Sequence, residues 1–317
     1  MPTLDDVRRA ADQLSGRIHR TPMVTCSALD AMFGGPLSLK AELFQKTGSF
    51  KVRGLLSKTL QLTPEQRERG VVTVSAGNAA GALAWAARDA GVPATVVMAT
   101  TAVQGKIDAA RAYGAQVELV DGDLITAYEA IRDERKLTGV HPFDDLDVIT
   151  GHGSLGLELL ADAPQVRTVL VPIGGGGLIS GVALAVKLLD PSVRVVGVEP
   201  AGADVVSRSL AAGSPQKLPT AKSLADGLAA PVCGAHTFAL ISQYVDEVVR
   251  VGEDAILAAT RLVMSRTKLA LEPAAAAPFA ALLEGSLQLT GPTASVISGG
   301  NLDVGQLFGS GSLGDTP

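Results

Sequence analysis

The sequence predicts an α/β protein built on parallel sheets, and two observations support this class. Apolar runs rich in valine and isoleucine alternate with alanine-rich segments of helical period, first as VVTVSA, AAGALAWAARDAG, ATVVMAT, VQGKIDAARAYGA and QVELVDG. The alternation returns later in the chain with RTVLVPI, LISGVALAVKLL and RVVGVEP. Strands that alternate with helices in this way form parallel sheets covered by helices on both faces. The two blocks therefore predict two α/β domains with a cleft between them.

The amino-acid composition limits the kinds of function that the protein can have. Of the 317 residues, 47% are hydrophobic and 19% are charged, which is enough apolar material for buried cores. A net charge of −5 gives no general attraction to nucleic acid or anionic lipid, so we expect neither partner. The N-terminus lacks the apolar core of a signal peptide, and no apolar run reaches the length of about 18 residues that a membrane helix needs. We therefore expect a cytoplasmic protein without a membrane segment.

Lys51 is the first candidate for chemistry. It follows a predicted strand and a polar turn, and Ser49 is placed to cap the helix that begins there. The positive end of the helix dipole, the neighbouring Arg53 and burial would each lower the pKa of the amine. A neutral amine can form a Schiff base with a carbonyl compound. The alternative is an ordinary solvated lysine on a helix face, which is the more common situation.

Four consecutive glycines, Gly174, Gly175, Gly176 and Gly177, stand between the apolar strand VLVPI and a helix. Backbone N–H groups converge easily in such a loop, and the helix dipole adds to their attraction for a phosphate. A tight turn from strand to helix also uses glycine, so that alternative stays open. The loop is neither a P-loop, since no Gly-Lys-Ser or Gly-Lys-Thr follows, nor the dinucleotide fingerprint.

Two short polar segments, at 75–78 and 298–301, each follow a predicted buried strand with the sequences SAGN and SGGN. Ligands collect at the carboxyl ends of the strands in α/β sheets. Each serine could instead cap a helix or begin a turn. Either segment alone is a weak indication of a site.

Taken together, these segments resemble the fold-type II pyridoxal phosphate enzymes, most closely the threonine/serine dehydratase and serine racemase branch. The resemblance runs from about Ile18 to Asp303 and rests on ELFQKTGSFKVRG, SAGN, PFDDLDVITGHG, PIGGGGLISG, GVEP, SLADGL, LEPAAA and SGGN. It implies the tryptophan synthase β-like fold, with pyridoxal 5'-phosphate in the cleft. The large cofactor-binding domain would comprise residues 1–64 and 145–317, the small domain residues 65–144. It also implies a homodimer.

The resemblance assigns roles to matching residues. Lys51 would hold the cofactor covalently, Asn78 would bind its phenolic oxygen, and Ser298 would face its pyridine nitrogen. The residues expected to bind the cofactor are Phe50, Lys51, Asn78, Gly174, Gly175, Gly176, Gly177, Gly227 and Ser298. The residues expected to bind the substrate are Ser75, Ala76, Gly77, Asn78 and Ala79.

The implied reaction is α,β-elimination of a β-hydroxy amino acid, threonine or serine, to a 2-oxo acid and ammonia, with Lys51 as the base. A hydroxyl at Ser298 cannot stabilise a pyridinium as a carboxylate can, which favours elimination over transamination. The alternatives are serine racemisation, elimination from hydroxyaspartate or phenylserine, and, more remotely, an inert binding scaffold. Ala76 replaces the serine that racemases use as a proton donor. Ala79, Ala80 and Gly81 leave space for a substrate larger than threonine.

Two features leave assignments open. His152 stands where relatives commonly carry glutamine, and it is either a polar group of the pocket or a structural residue. Some relatives bind a divalent cation through the glutamate of the GVEP motif, a carbonyl and a second carboxylate. The matching positions here are Glu199, Ala203 and Val205, which lack that second carboxylate. A hard cation prefers charged oxygen ligands, so the metal stays unassigned.

Overall fold

The computed structural model describes residues 1–75 and 77–302, which form an α/β fold and confirm the predicted class. Their strands are β1 (Met23–Thr25), β2 (Leu37–Ala41), β3 (Val71–Val74), β4 (Ala94–Ala99), β5 (Gln116–Val120), β6 (Thr138–Gly139), β7 (Thr168–Pro172), β8 (Arg194–Pro200), β9 (Glu247–Val251) and β10 (Thr293–Ile297). Their α-helices are α1 (Leu4–Leu14), α2 (Ser27–Phe33), α3 (Lys51–Leu60), α4 (Pro64–Arg69), α5 (Asn78–Ala90), α6 (Gln104–Ala112), α7 (Leu124–Glu134), α8 (Leu146–Asp162), α9 (Gly177–Leu189), α10 (Val205–Ala212), α11 (Ala235–Tyr244), α12 (Glu253–Thr267) and α13 (Pro273–Leu283). Within this part of the chain, none of the helices combines the length and the apolar character that crossing a bilayer requires.

The larger sheet has the strand order β1-β2-β10-β7-β8-β9. β1 pairs with β2 in antiparallel fashion, and all other neighbours in this sheet are parallel. The side chains of β7 alternate between two cores. Val169 and Val171 pack in the cluster that contains α8 and α9, and Leu170 packs in the cluster that contains α12 and α13. Helices therefore cover both faces of this sheet, which is why its central strands read as continuous apolar runs.

The smaller sheet has the order β5-β4-β3-β6, and all its strands are parallel. The strands lie within residues 71–139, and Leu83 of α5 shares an apolar cluster with Leu55 of α3. This contact joins the helix that begins at Lys51 to the smaller sheet. The domain limits at 64/65 and 144/145 stay a prediction.

The carboxyl ends of three strands position the candidate site. β3 leads into the loop at Ser75, β7 leads into the glycine loop, and β10 leads into the turn at Ser298. The backbone N–H of Phe50 donates to the carbonyl of Ser298 at 3.0 Å. This bond fixes the start of α3 beside the end of β10, so Lys51 lies next to the strand ends.

Candidate active site

A cavity of about 250 Å³ lies where these loops meet. Its walls include every described residue predicted to bind cofactor or substrate, namely Phe50, Lys51, Ser75, Gly77, Asn78, Ala79, Gly174, Gly175, Gly176, Gly177, Gly227 and Ser298. Ala76, the remaining predicted substrate residue, lies outside the described residues. The fold thus brings residues from distant parts of the sequence to one place, and their individual roles stay predictions.

Lys51 is the first residue of α3, and its side chain is partly exposed at the cavity wall. Its Nζ donates a hydrogen bond to the carbonyl of Pro142 at 2.8 Å. Burial lowers the pKa of this amine to about 8, against an opposing effect of the Glu272 carboxylate. Roughly a tenth of Lys51 is therefore neutral at pH 7, far more than for an ordinary lysine, and this form can attack a carbonyl carbon.

The expected contribution of Arg53 to this shift is wrong. The guanidinium is fully buried and donates to both oxygens of Glu42 at 2.8 Å, and to the oxygens of Glu158 at 2.8 and 2.9 Å. These carboxylates compensate the positive charge locally and raise the pKa of Arg53. The sequence prediction took the charge of Arg53 without these partners, of which Glu158 is 105 residues away in the chain.

The predicted helix cap at Ser49 is also wrong. Phe50 occupies the cap position of α3, and no side chain caps the helix there. Ser49 instead forms an isolated antiparallel bridge with Gly299, and its buried Oγ has no hydrogen-bond partner within the described residues. Pairing with the segment that follows β10 holds Ser49 in extended backbone, so the helix starts two residues later.

The glycine loop is packed too closely for larger residues. A Cβ at Gly175 would lie 2.5 Å from the Phe143 ring, and one at Gly177 would lie 2.8 Å from the Phe143 backbone. Gly176 has a φ of +91°, a conformation that favours glycine. The loop opens α9, whose first N–H groups have no partner within the helix. These donors and the positive end of the helix dipole face a cavity suited to a phosphate.

The loop at Ser75 and the turn at Ser298 supply hydroxyl groups to the cavity wall. Gly77 is the cap residue of α5, and the Oγ of Ser75 accepts a hydrogen bond from its N–H at 3.1 Å. Ser75 therefore closes a turn and does not cap the helix. Ser298 is also buried, with an exposed fraction of 2%. Gly227, another predicted cofactor residue, lines the cavity near Ala274.

Glu272 is a cavity residue to which sequence analysis assigned no role. It precedes α13, and its carboxylate accepts hydrogen bonds from Nδ2 of Asn78. Burial raises the pKa of this carboxyl group to about 7, and the bond from Asn78 opposes that increase. A charged residue immediately before Pro273 and a run of alanines was the signal in the sequence, because an acidic group beside an apolar run needs buried partners.

His152 does not line the cavity. Its ring is fully buried behind Phe50, with the two ring centroids 4.8 Å apart in an edge-on contact. Burial, assisted by the charges of Lys51 and Arg53, places its pKa well below the usual value. Neither ring nitrogen has a hydrogen-bond partner within the described residues. The structure thus favours a packing role for this residue over a direct role in the pocket.

The positions that match the cation site of some relatives do not fit a divalent cation. The carboxylate of Glu199 accepts hydrogen bonds from the N–H groups of Val206 and Ser207, at 3.1 and 2.8 Å. Asp204, the carboxylate next to the matching position Val205, is ion-paired with Arg208 and Arg250. The described residues contain no group of three or more histidine, cysteine or acidic side chains that could hold a metal ion. Backbone donors and guanidinium groups thus already engage the oxygen atoms.

The site defines a class of protein. An amine whose pKa is lowered to about 8, a helix N-terminus suited to a phosphate and a cavity between them fit an enzyme whose lysine binds a phosphorylated aldehyde. The chain belongs to the family of pyridoxal-phosphate dependent enzymes, whose family model matches residues 14–299. Its cofactor is pyridoxal 5'-phosphate.

Similar proteins with assigned functions have several different activities. An L-threonine ammonia-lyase of Thermotoga maritima is 43% identical over 97% of this chain and 77% of its own length. A phenylserine dehydratase of Ralstonia pickettii is 39% identical over 96% of this chain and 94% of its own length. The structure of maize serine racemase aligns with a TM-score of 0.93 and 37% identity, over 96% of this chain and 95% of that one. These similarities support elimination or racemisation of an amino acid.

Proposed function

We propose that the chain is an ammonia-lyase that converts threonine or serine into a 2-oxo acid and ammonia. The observation that carries the proposal is the placement of Lys51, with its lowered pKa, in one cavity with the glycine loop and the loop at Ser75. A lysine so placed can both hold the cofactor and remove a proton from a substrate bound beside it. The similarity to a threonine ammonia-lyase supports the same reaction.

Each residue contributes a distinct physical effect to this reaction. When bound, pyridoxal phosphate supplies the electron sink that makes the α-proton of an amino acid acidic. Lys51 removes that proton. The N–H groups of Gly174 to Gly177 would hold the phosphate, and the backbone N–H groups around Gly77 would receive the substrate carboxylate. The Ser298 hydroxyl would face the ring nitrogen and carries no negative charge, which would favour loss of the β-hydroxyl over transamination.

Alanine at position 76 supports elimination over racemisation. Racemisation requires a second group that delivers a proton to the face opposite Lys51, and an alanine side chain has no proton to give. The racemase alternative therefore ranks second, although a serine racemase is a close relative.

A lyase for phenylserine or hydroxyaspartate is the remaining alternative within the branch. Ala79 lines the cavity, and a Cβ at Gly81 would reach only the edge of the Tyr113 ring, at 3.7 Å. The small residues at these positions leave room for a larger substrate substituent near the loop at Ser75. The phenylserine dehydratase relative supports this alternative.

The proposal includes an organisation of the whole protein. We assign residues 65–144 to a small domain that closes the cavity against the large cofactor-binding domain of residues 1–64 and 145–317. We further propose a homodimer that works in the cytoplasm. Sedimentation velocity on the purified protein tests the dimer directly.

One panel of assays tests the proposed reaction. The holoenzyme is incubated with L-threonine, L-serine, phenylserine and hydroxyaspartate, and 2-oxo acid, ammonia and enantiomers are measured together. We expect ammonia and 2-oxo acid in equal amounts, fastest with threonine or serine. Interconversion of enantiomers without ammonia would overturn the lyase proposal. A preference for phenylserine would keep the lyase reaction but would show that threonine and serine are not the main substrates. A panel without any turnover would support an inert scaffold.

A further inference from the structure

Glu272 is a buried carboxyl group whose role the proposed reaction does not explain. It is 5% exposed, and its backbone N–H donates to the carbonyl of Gly299 at 3.1 Å. A Cβ at Gly299 would lie 2.6 Å from Oε1 of Glu272, so glycine at that position makes room for the carboxyl group. Because burying such a group is costly without partners, its hydrogen bonds indicate its role.

A chain of hydrogen bonds with fixed polarity passes through Asn78. Nδ2 of Asn78 donates to Oε1 and Oε2 of Glu272 at 2.9 and 3.0 Å. Nδ2 of Asn301 donates to Oδ1 of Asn78 at 2.9 Å and to the backbone carbonyl of Thr47 at 2.8 Å. A backbone carbonyl can only accept, so Thr47 fixes the orientation of the Asn301 amide. Asn301 in turn fixes the oxygen of Asn78.

This chain makes one orientation of the Asn78 amide much more favourable than the other. A flipped Asn78 would place its oxygen against the carboxyl group of Glu272 and its NH₂ group against that of Asn301. Both oxygens belong to one carboxyl group and lie 2.9 and 3.0 Å from Nδ2, so one N–H of Asn78 can serve both. The second N–H of Asn78 is left for a ligand in the cavity, whose wall Asn78 forms.

We propose that Glu272 is a positioning residue that, together with Asn301, locks the amide of Asn78 so that one N–H is presented to the phenolic oxygen of the cofactor. The inference rests on the proposed function, because the resemblance assigns that oxygen to Asn78. In this proposal Glu272 acts on the cofactor through Asn78. Its effect is to hold a single weak donor in the direction that the cofactor requires.

The hydrogen bond from Asn78 to Glu272 persists whether Glu272 is ionised or protonated, so it is expected both below and above neutral pH. The charged groups that face its carboxyl group are Lys51 on α3, Lys106 on α6 and Asp226 in the turn beside Gly227. Ionised or protonated, the group retains an oxygen that accepts the N–H of Asn78. Glu272→Gln keeps an acceptor and removes the charge. It therefore separates the lock from the effect of the carboxylate on Lys51.

A double-mutant cycle on cofactor binding tests the inference. The dissociation constant of pyridoxal phosphate is measured by absorbance titration of the apoprotein for wild type, Glu272→Met, Asn78→Ala and the double variant. Methionine keeps the volume of the side chain without an acceptor. We expect Glu272→Met to weaken binding roughly tenfold, the equivalent of one hydrogen bond, and to have no further effect in the Asn78→Ala background.

Rescue and control variants complete the test. Glu272→Gln should bind the cofactor within about threefold of wild type, because its amide oxygen still accepts from Asn78. It should also lower the pKa of Lys51, since the carboxylate that raises it is gone. Glu284→Gln, at the exposed far end of α13, should bind the cofactor as wild type does. If Glu272→Met does not fold, the same cycle with Asn301→Ala tests the other side of the lock.

The outcomes separate this inference from the proposed function. Additive losses in the cycle, or wild-type binding by Glu272→Met, would overturn the positioning role, while the lyase proposal would stand. A wild-type apoprotein that fails to bind pyridoxal phosphate would overturn both. A loss for Glu272→Met that disappears without Asn78 would support the lock, since a merely structural defect would persist in that background.

Discussion

Lys51 and Arg53 lie two residues apart at the start of α3, and their surroundings are opposite. Arg53 has no exposure and binds two carboxylates, Glu42 and Glu158, with four hydrogen bonds of 2.8 to 2.9 Å. The amine of Lys51 donates to one backbone carbonyl, that of Pro142. The pKa of the fully buried Arg53 is raised, whereas that of Lys51, at the cavity wall, is lowered by desolvation to about 8.

The comparison shows that the partners of a buried cation decide its role. Carboxylates in contact with Arg53 repay the cost of burial and keep the charge permanent, so this side chain ties α3 to α8. Among the described residues, no carboxylate forms an ion pair with Lys51, so its amine can lose its proton more readily than that of an ordinary lysine. The same helix turn therefore carries one structural cation and one potential nucleophile.

The largest effect should follow from removing the amine. We expect Lys51→Ala to reduce ammonia release from the best substrate by on the order of a thousandfold or more, because it removes both the covalent attachment and the base. Lys46→Ala, an exposed lysine five residues earlier, is the matched control and should be fully active. Substantial activity in Lys51→Ala would contradict the assignment of Lys51 as the nucleophile and the base.

Removing a carboxylate partner of Arg53 should lower the stability of the fold. Glu42→Gln leaves Arg53 with an incompletely compensated charge, and we expect the free energy of unfolding to fall by about 3 to 5 kcal/mol in urea titrations. Glu68→Gln, on an exposed position of α4, should change it by less than about 0.5 kcal/mol. An unchanged midpoint for Glu42→Gln would show that the buried ion pair is not needed.

The burial of Lys51 predicts a pH-dependent stability of the apoprotein. The pKa of Lys51 is about 8 when folded, against 10.5 for an ordinary lysine. The unfolded state therefore binds more protons, and the penalty, at most about 3 kcal/mol, is fully present below pH 8 and disappears as the pH rises towards 10.5. Lys51→Met should be more stable than wild type at pH 7, with a gain that shrinks from pH 8 to 9.5. A gain independent of pH would contradict the lowered pKa.

The smallest effect should follow from removing divalent cations. Arg208 and Arg250 already neutralise Asp204, and backbone N–H groups engage Glu199. We expect EDTA and added Mg²⁺ to leave the rate of ammonia release and the melting temperature unchanged. A loss of activity in EDTA that Mg²⁺ restores would show a cation site that these guanidinium groups do not replace.

The alternating pattern predicted the fold class because each βαβ unit is encoded locally. β3, α5, β4, α6 and β5 follow the predicted runs, since an apolar strand and an alanine-rich helix have different periods. The sheet order was beyond the sequence, since β10 enters between β2 and β7 through pairings that are distant in the chain. Ser49 was misjudged for the same reason, because its extended backbone depends on Gly299.

The positions of the candidate site residues were better predicted than their surroundings. Glycine loops and residues after strands carry local signals, so Gly176 and Ser298 could be singled out from the sequence. The compensation of Arg53 by Glu158 and the link from Glu272 to Asn78 join segments far apart in the chain. Electrostatic effects of this kind depend on tertiary contacts, and no local pattern encodes them.

The cavity draws its walls from Lys51, Asn78, Gly176, Glu272 and Ser298, which span most of the described chain. A partly folded intermediate that lacks β10 would have neither the last wall nor the anchor for α3. Pyridoxal phosphate should therefore be captured late in folding, and a ligand that binds only the native state shifts the equilibrium toward it. We therefore expect the fraction of folded protein to rise with the concentration of pyridoxal phosphate.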